Sequence, residues 1–188
     1  MNNLNEKELV EKAKEDPKAF AILFDKYYNV ILSYAYHRTL DMELAKDITS
    51  ETFLKAFNSI SPFTWRDISF GAWLYQIATN EVNMYFRKGK YKPVSLNYLH
   101  NQFGFDAIDF STTALEQSRQ ESKEKTYEDF IFLQSKIKNL PIKYQEVLAL
   151  RYFEHKSIKE IAVILEKKEG TIKSLLSRGI DTLKKLLQ

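Results

Sequence analysis

The sequence predicts an all-helical protein built from two small domains. Glycine and proline are rare, at 5 and 4 of 188 residues, and runs of alternating β-branched residues are few. Apolar residues recur instead at steps of three and four, the spacing of a helix that buries one face. Hydrophobic residues make up 44% of the chain, which is enough for ordinary cores.

Three long helices are predicted in the first half of the chain. Asp16 and Pro17 mark the start of the first, because Asp accepts hydrogen bonds from free backbone N–H groups and Pro has none to leave unpaired. Asp41 is the predicted cap of the second helix, and Ser69 of the third, which should run from about 70 to 88.

An acidic stretch separates the two halves. From 93 to 127 the helical periodicity is lost and Ser, Thr and acidic residues accumulate. Lys and Arg number 13 against 12 Asp and Glu over 1–96, 3 against 7 over 97–133, and 12 against 6 over 134–188. Nucleic acid would repel such a linker, so we expect it to hold the domains apart. We predict a first domain at 1–95, a flexible acidic linker at 96–127 and a second domain at 128–188.

The second domain is predicted to contain a helix-turn-helix. An amphipathic helix near 128–139 precedes Pro141, which opens the next helix. Ser157 and Glu160 have the spacing of a capping box and start a short third helix. That helix cannot continue comfortably through "EKKEG", so a turn and a last helix should follow.

The last helix carries a polar face in its first half, opposite its apolar side. This hydroxyl face consists of Thr171, Lys173, Ser174, Ser177 and Arg178. A recognition helix places its first turns in the major groove of DNA, where hydroxyls and Arg bind phosphates and base edges. The basic charge of the segment fits a polyanionic partner, although a helical hairpin with a solvated face has the same pattern.

A second polar stripe is predicted on the helix that follows Ser69. This amide stripe consists of Gln76, Asn80, Asn83 and Arg87, with Lys88 at its end. Amides in a row beside cations suit hydrogen bonding to base edges and phosphates. A solvated polar face is the other interpretation.

Composition argues against several function classes. The chain has no cysteine, and His37, His100 and His155 lack the spacing of metal ligands, so no metal or cofactor is expected. Neither a Gly-rich phosphate loop nor a paired-carboxylate site suggests an enzyme. No apolar run approaches the roughly 18 residues of a membrane span, so we expect no membrane insertion and a cytoplasmic location.

Two patterns, taken together, identify a family. "DITSETFLKAF" followed by "FGAWLYQIATNEVNMYFRK", and then "EIAVILEKKEGTIKSLLSR", occur in this order over nearly the whole chain. The chain resembles the extracytoplasmic-function (ECF) subgroup of the sigma-70 family of bacterial RNA polymerase sigma factors, which has only sigma domains two and four.

The resemblance implies a non-catalytic factor that directs core RNA polymerase to specific promoters and assists DNA opening. It implies that the helix carrying Asp47, Glu51 and Lys55 docks on the polymerase clamp helices. The loop with Trp65 and Arg66 would capture a base flipped from the minus-ten element. The amide stripe would read the same element and the hydroxyl face the minus-thirty-five element. Implied partners are core RNA polymerase, through its clamp helices and flap, promoter DNA and an anti-sigma factor.

Several residues differ from those common in the family. They are Ser50, Thr79, Met84, Leu175 and Gly179. Gly179 should weaken its helix by about 1 kcal/mol relative to Ala. Leu175 falls on the buried side of the last helix, which predicts the loss of one phosphate contact.

The alternative function is a stand-alone helix-turn-helix regulator whose first domain is a helical sensor. Such a protein would bind an operator without polymerase, usually as a dimer on two half-sites. The acidic linker and the amide stripe favour the sigma factor instead.

Overall fold

The computed structural model describes residues 5–65, 68–88 and 132–187, and this part of the chain contains helices and no strand. The first domain has four helices: α1 (Glu6–Ala13), α2 (Pro17–Thr39), α3 (Met42–Ser59) and α4 (Phe70–Arg87). The second domain has a helical segment at 132–137, then α5 (Ile142–Leu148), a π-helical turn (Ala149–Phe153), α6 (Ile158–Ile164) and α7 (Glu169–Leu187). The all-helical prediction is confirmed, and the predicted linker lies outside the described residues.

The predicted helix starts are confirmed by their hydrogen bonds. Asp16 accepts from the N–H of Lys18 at 2.9 Å, and Pro17 is the first residue of α2. Asp41 and Ser69 accept in the same way at the starts of α3 and α4, at 3.0 and 3.2 Å. Each side chain satisfies a backbone donor that has no partner within its helix.

The core of the first domain is built around α2, which contacts α1, α3 and α4. Leu23, Ile31 and Tyr34 of α2 are fully buried, as are Phe70 and Leu74 of α4. Burying a large apolar side chain stabilises a fold by about 1.5–3 kcal/mol. The amide stripe therefore lies on a helix whose opposite side is fixed in the core.

The second domain contains the predicted helix-turn-helix, α6 and α7. Ser157 accepts from the N–H of Glu160 at 3.2 Å, and the Glu160 carboxylate accepts from the N–H of Ser157 at 2.8 Å. The hydrogen bonds with Ser157 lower the pKa of Glu160, so the capping box carries a negative charge at the start of α6.

The helix that Pro141 opens is not α-helical throughout. The α-helix ends at Leu148 and continues as a π-helical turn, closed by the N–H of Glu154 donating to the carbonyl of Ala149 at 3.1 Å. Glu154, which directly follows this turn, contacts His37 and Tyr75 of the first domain.

The two domains are packed against each other and are not held apart as the acidic linker suggested. The π-helical turn contacts α2, α6 contacts α4, and one apolar cluster contains buried residues of both domains. The folded surfaces of the two domains are therefore in direct contact.

Candidate nucleic-acid and polymerase interfaces

The hydroxyl face of α7 is exposed to solvent along its whole length. All five of its residues are exposed: Thr171, Lys173, Ser174, Ser177 and Arg178. On the opposite side, Ile172 is fully buried and Leu176 is 8% exposed, and both belong to the core cluster. α7 is thus held by its apolar side while its cations and hydroxyls remain available to a polyanion.

The two glycines of α7 have different surroundings. A Cβ added at Gly170, in the first turn, would meet nothing within 4 Å. A Cβ at Gly179 would lie 3.3 Å from Tyr144 Cβ and 3.4 Å from Leu148 Cδ1. Because it has no side chain, Gly179 allows α7 to pack closely on α5. Helix propensity alone would not explain a glycine at this position. Leu175 is half-buried against the same core, as its position predicted.

The amide stripe faces the second domain. Gln76 Nε2 donates to the backbone carbonyl of Val163 at 2.9 Å, and Asn83 Nδ2 donates to the Glu146 carboxylate at 3.1 Å. Asn80 is exposed at a cleft of about 130 Å³ between the domains. Arg87 and Lys88 are exposed beyond this contact. Part of the predicted minus-ten surface is therefore covered by α5 and α6.

Buried polar side chains linked by hydrogen bonds lie next to the amide stripe, on its core side. Tyr34 OH lies 2.8 Å from Thr79 Oγ1 and accepts from Arg38 at 3.0 Å. Arg38 also donates to Asn83 Oδ1 at 3.1 Å. Burial raises the pKa of Tyr34, so its hydroxyl stays protonated. Thr79 stands where the resemblance leads one to expect Arg, and here Arg38 supplies a cation to the same network.

The predicted base-capturing loop is described only in part. Trp65 is half-buried, packs against the core cluster and has its ring 6.5 Å from that of Phe63 in an edge contact. Arg66 lies outside the described residues. The role of both residues stays a prediction.

The helix predicted to bind polymerase presents a mixed surface. Asp47 is exposed, Glu51 and Lys55 are half-buried, and Phe53 is in the core. Lys55 pairs with Glu51 at 3.4 Å and with Glu81 of α4 at 2.7 Å. The hydrogen bond with Glu81 raises the pKa of Lys55.

Two apolar side chains on α3 were not among the predicted contacts. Leu54 is 54% exposed and Phe57 is 43% exposed. They lie on the helix that also presents Asp47 and Glu51, so the candidate polymerase surface combines charged and apolar groups. Leu54 lies outside the apolar spacing of α3, whereas Phe57 follows the buried Phe53 by four residues, so the sequence pattern marks only Leu54 as exposed.

Glu154 is a functional candidate that sequence reasoning missed. Its side chain is 6% exposed, lies 2.9 Å from His37 Nδ1 and accepts from Tyr75 OH at 2.7 Å. Burial, together with the negative charge of Glu154, raises the pKa of Tyr75. The Lys156 ammonium lies 4.7 Å above the Tyr75 ring. This group joins the domains through charged and polar contacts.

Residues 5–65, 68–88 and 132–187 contain no group of three His, Cys, Asp or Glu residues that could hold a metal ion. Nor does any helix in these ranges combine the length and hydropathy needed to cross a membrane.

Two family models match the chain, in the same order as the two domains. Residues 23–91 match "Sigma-70 region 2", and residues 133–183 match "Sigma-70, region 4". The first model spans α3 and the amide stripe, and the second spans α6 and the hydroxyl face.

Curated relatives match over nearly the full chain. The ECF RNA polymerase sigma factor SigW of Bacillus subtilis is 32% identical over 198 residues, covering 100% of this chain and 99% of the relative. The ECF RNA polymerase sigma factor BldN of Streptomyces coelicolor is 34% identical over 181 residues. That match covers 96% of this chain and 65% of BldN.

Solved structures share the fold. A structure of CnrH in complex with the cytosolic domain of CnrY has a TM-score of 0.68 at 17% identity and covers 97% of this chain and 96% of the other. A structure of RpoE in complex with NepR from Bartonella quintana has a TM-score of 0.63 at 22% identity, covering 90% and 97%. With both family regions matched in order, and with SigW aligned from end to end, the chain belongs to the ECF group of the sigma-70 family of RNA polymerase sigma factors.

Proposed function

We propose that the protein binds core RNA polymerase and directs it to specific promoters, where it assists DNA opening. One observation carries the proposal: the chain contains both sigma-70 family regions, and the second region presents the exposed hydroxyl face of α7. A stand-alone regulator is not favoured, because residues 23–91, which would be its sensor, match sigma-70 region 2. The polymerase performs the chemistry, so the protein is not itself an enzyme.

The proposed division of labour follows the predicted domains. Residues 1–95 bind the clamp helices through Asp47, Glu51 and Lys55 and read the minus-ten element through the amide stripe, with Trp65 and Arg66 holding a flipped base. Residues 128–188 read the minus-thirty-five element through the hydroxyl face and contact the flap, while 96–127 connect the two. The protein acts in the cytoplasm, and an anti-sigma factor is the proposed regulatory partner.

The decisive experiment combines the purified protein with sigma-free bacterial core polymerase and fragmented genomic DNA, and maps transcript starts. We expect new start sites that share two spaced sequence elements. The alternative regulator would instead footprint a single operator without polymerase and produce no new start sites.

The hydroxyl face can be tested separately. Lys173→Ala and Arg178→Ala should reduce transcription from promoters that depend on the upstream element while core polymerase binding is unchanged. Lys184→Ala is the matched control, since Lys184 is an exposed cation of the same helix outside the hydroxyl face. Loss of core binding in either test variant would contradict the assignment.

The packing of the two domains adds a requirement. The second domain covers part of the amide stripe, so reading the minus-ten element requires the domains to separate. Polymerase can favour separation by binding each domain at a different place, because tethered contacts form at high effective concentration. The free protein should therefore bind promoter DNA weakly.

A further inference from the structure

A buried arginine lies directly behind the amide stripe. Arg38, near the end of α2, is 3% exposed. Its guanidinium carbon lies 5.9 Å from the ring centroid of Tyr34 and 5.7 Å from that of Phe86. One terminal nitrogen donates to Tyr34 OH at 3.0 Å. Because Thr79 in turn contacts that hydroxyl, the guanidinium is fixed relative to both α2 and α4.

The other terminal nitrogen of Arg38 sets the orientation of the Asn83 amide. It lies 3.1 Å from Asn83 Oδ1. A guanidinium has donors only, so the amide must turn its oxygen inward and its amino group outward. The outward Nδ2 donates to the Glu146 carboxylate, which is itself an acceptor, at 3.1 Å. Both neighbours therefore select the same orientation of the amide.

We propose that Arg38 is a positioning residue that makes Asn83 a donor-only reader of one promoter base. A donor in this place favours a base with a carbonyl acceptor, thymine O4 or guanine O6, over a base with an amino group, adenine N6 or cytosine N4. The inference rests on the proposed function, in which Asn83 contacts the minus-ten element. In the packed arrangement, the Glu146 carboxylate occupies the place of the base acceptor.

The test is transcription by reconstituted holoenzyme from a promoter library randomised across the minus-ten element. The wild-type protein should prefer keto bases to amino bases by about five- to tenfold at one position. Asn83→Ala should abolish that preference. Arg38→Met should abolish it at the same position, because the amide is then free to flip and offer its oxygen. Arg151→Met is the control, since it removes an exposed arginine of the second domain and should leave the preference unchanged.

Asn83→Asp gives a sharper readout. One carboxylate oxygen would stay with Arg38 and the other would face outward as an acceptor, so the preference at this position should reverse toward amino bases. An aspartate presents only acceptors whatever Arg38 does, so this variant tests the contact of residue 83 with the base and not the role of Arg38. If Arg38→Met does not fold, Arg38→Lys decides the positioning role: a single ammonium cannot hold both Tyr34 OH and Asn83 Oδ1 as the guanidinium does, so a reduced keto preference with normal polymerase binding supports the proposal, and a fully retained preference overturns it.

The two levels of the hypothesis fail in different ways. If Asn83→Ala changes no base preference, the proposed contact of Asn83 with DNA is wrong and the inference falls with it. If Asn83→Ala removes a preference that Arg38→Met retains, the contact stands and the positioning role of Arg38 is overturned.

Discussion

Replacing Lys55 by Met should both destabilise the first domain and weaken polymerase binding, and the two effects can be separated. Lys55 is a predicted clamp contact, yet its ammonium lies 2.7 Å from the carboxylate of Glu81, a buried residue of α4. Lys55→Met leaves that carboxylate buried without its cation. A loss of polymerase binding by this variant alone would therefore be ambiguous.

The magnitude follows from the exposure of the two partners. Breaking a fully buried ion pair costs about 3–5 kcal/mol, and an exposed pair contributes about 0.2–1 kcal/mol. Here the Glu81 side chain is 8% exposed and that of Lys55 is 41% exposed, so water screens one partner. We expect a loss of about 1–2 kcal/mol. For a cooperative unit of about 60–100 residues this lowers the unfolding temperature by roughly 5–15 °C.

A second variant separates stability from contact. Lys55→Met/Glu81→Gln removes the uncompensated charge while keeping the shape of the Glu81 side chain, and should recover most of the unfolding temperature measured by circular dichroism. If Lys55 contacts polymerase, the double variant should still bind core enzyme weakly in a direct titration. Lys46→Met is the matched control, since Lys46 pairs with Glu43 on the exposed surface of the same helix at 2.8 Å.

Two results would refute the reasoning. If Lys55→Met unfolds at the wild-type temperature, the pair with Glu81 does not stabilise the domain. If the double variant regains full core binding, Lys55 supports the fold and is not a polymerase contact.

Three further predictions concern the second domain. Gly170→Ala should raise the unfolding temperature, whereas Gly179→Ala should gain less because its Cβ would crowd a neighbour at 3.3 Å; equal gains would count against the close packing of α7 on α5. Burial lowers the pKa of Lys138 from 10.5 to about 8. Between these two pH values the unfolded chain binds more protons than the folded protein, so the free energy of unfolding should rise with pH. Urea unfolding of Lys138→Met should lack that rise, and a rise equal to the wild type would contradict the burial effect. Glu154→Gln removes the charge beside His37 and should separate the domains, measured as a longer distance between dyes on two cysteines introduced into this cysteine-free chain; an unchanged distance would rule out a contribution from Glu154.

Local sequence chemistry was enough to predict most of the helices. Asp16, Asp41, Ser69 and Ser157 mark helix starts because a cap is an interaction between residues two or three positions apart. The hydroxyl face was predictable for a similar reason, since the periodicity of α7 separates its buried and exposed sides. The π-helical turn escaped prediction because its apolar pattern does not differ from that of an ordinary helix.

The sequence by itself determined the helical class, the two family regions and the residue types offered to a polyanion. Only the tertiary structure decided what those residues contact. Arg38 and Asn83 are 45 positions apart and Tyr75 and Glu154 are 79 apart, so no local pattern reveals either hydrogen bond. Packing of α2 against α4 places a guanidinium behind the amide stripe, and docking of the second domain covers that stripe. Both depend on the fit of distant surfaces, which periodicity along the chain does not encode.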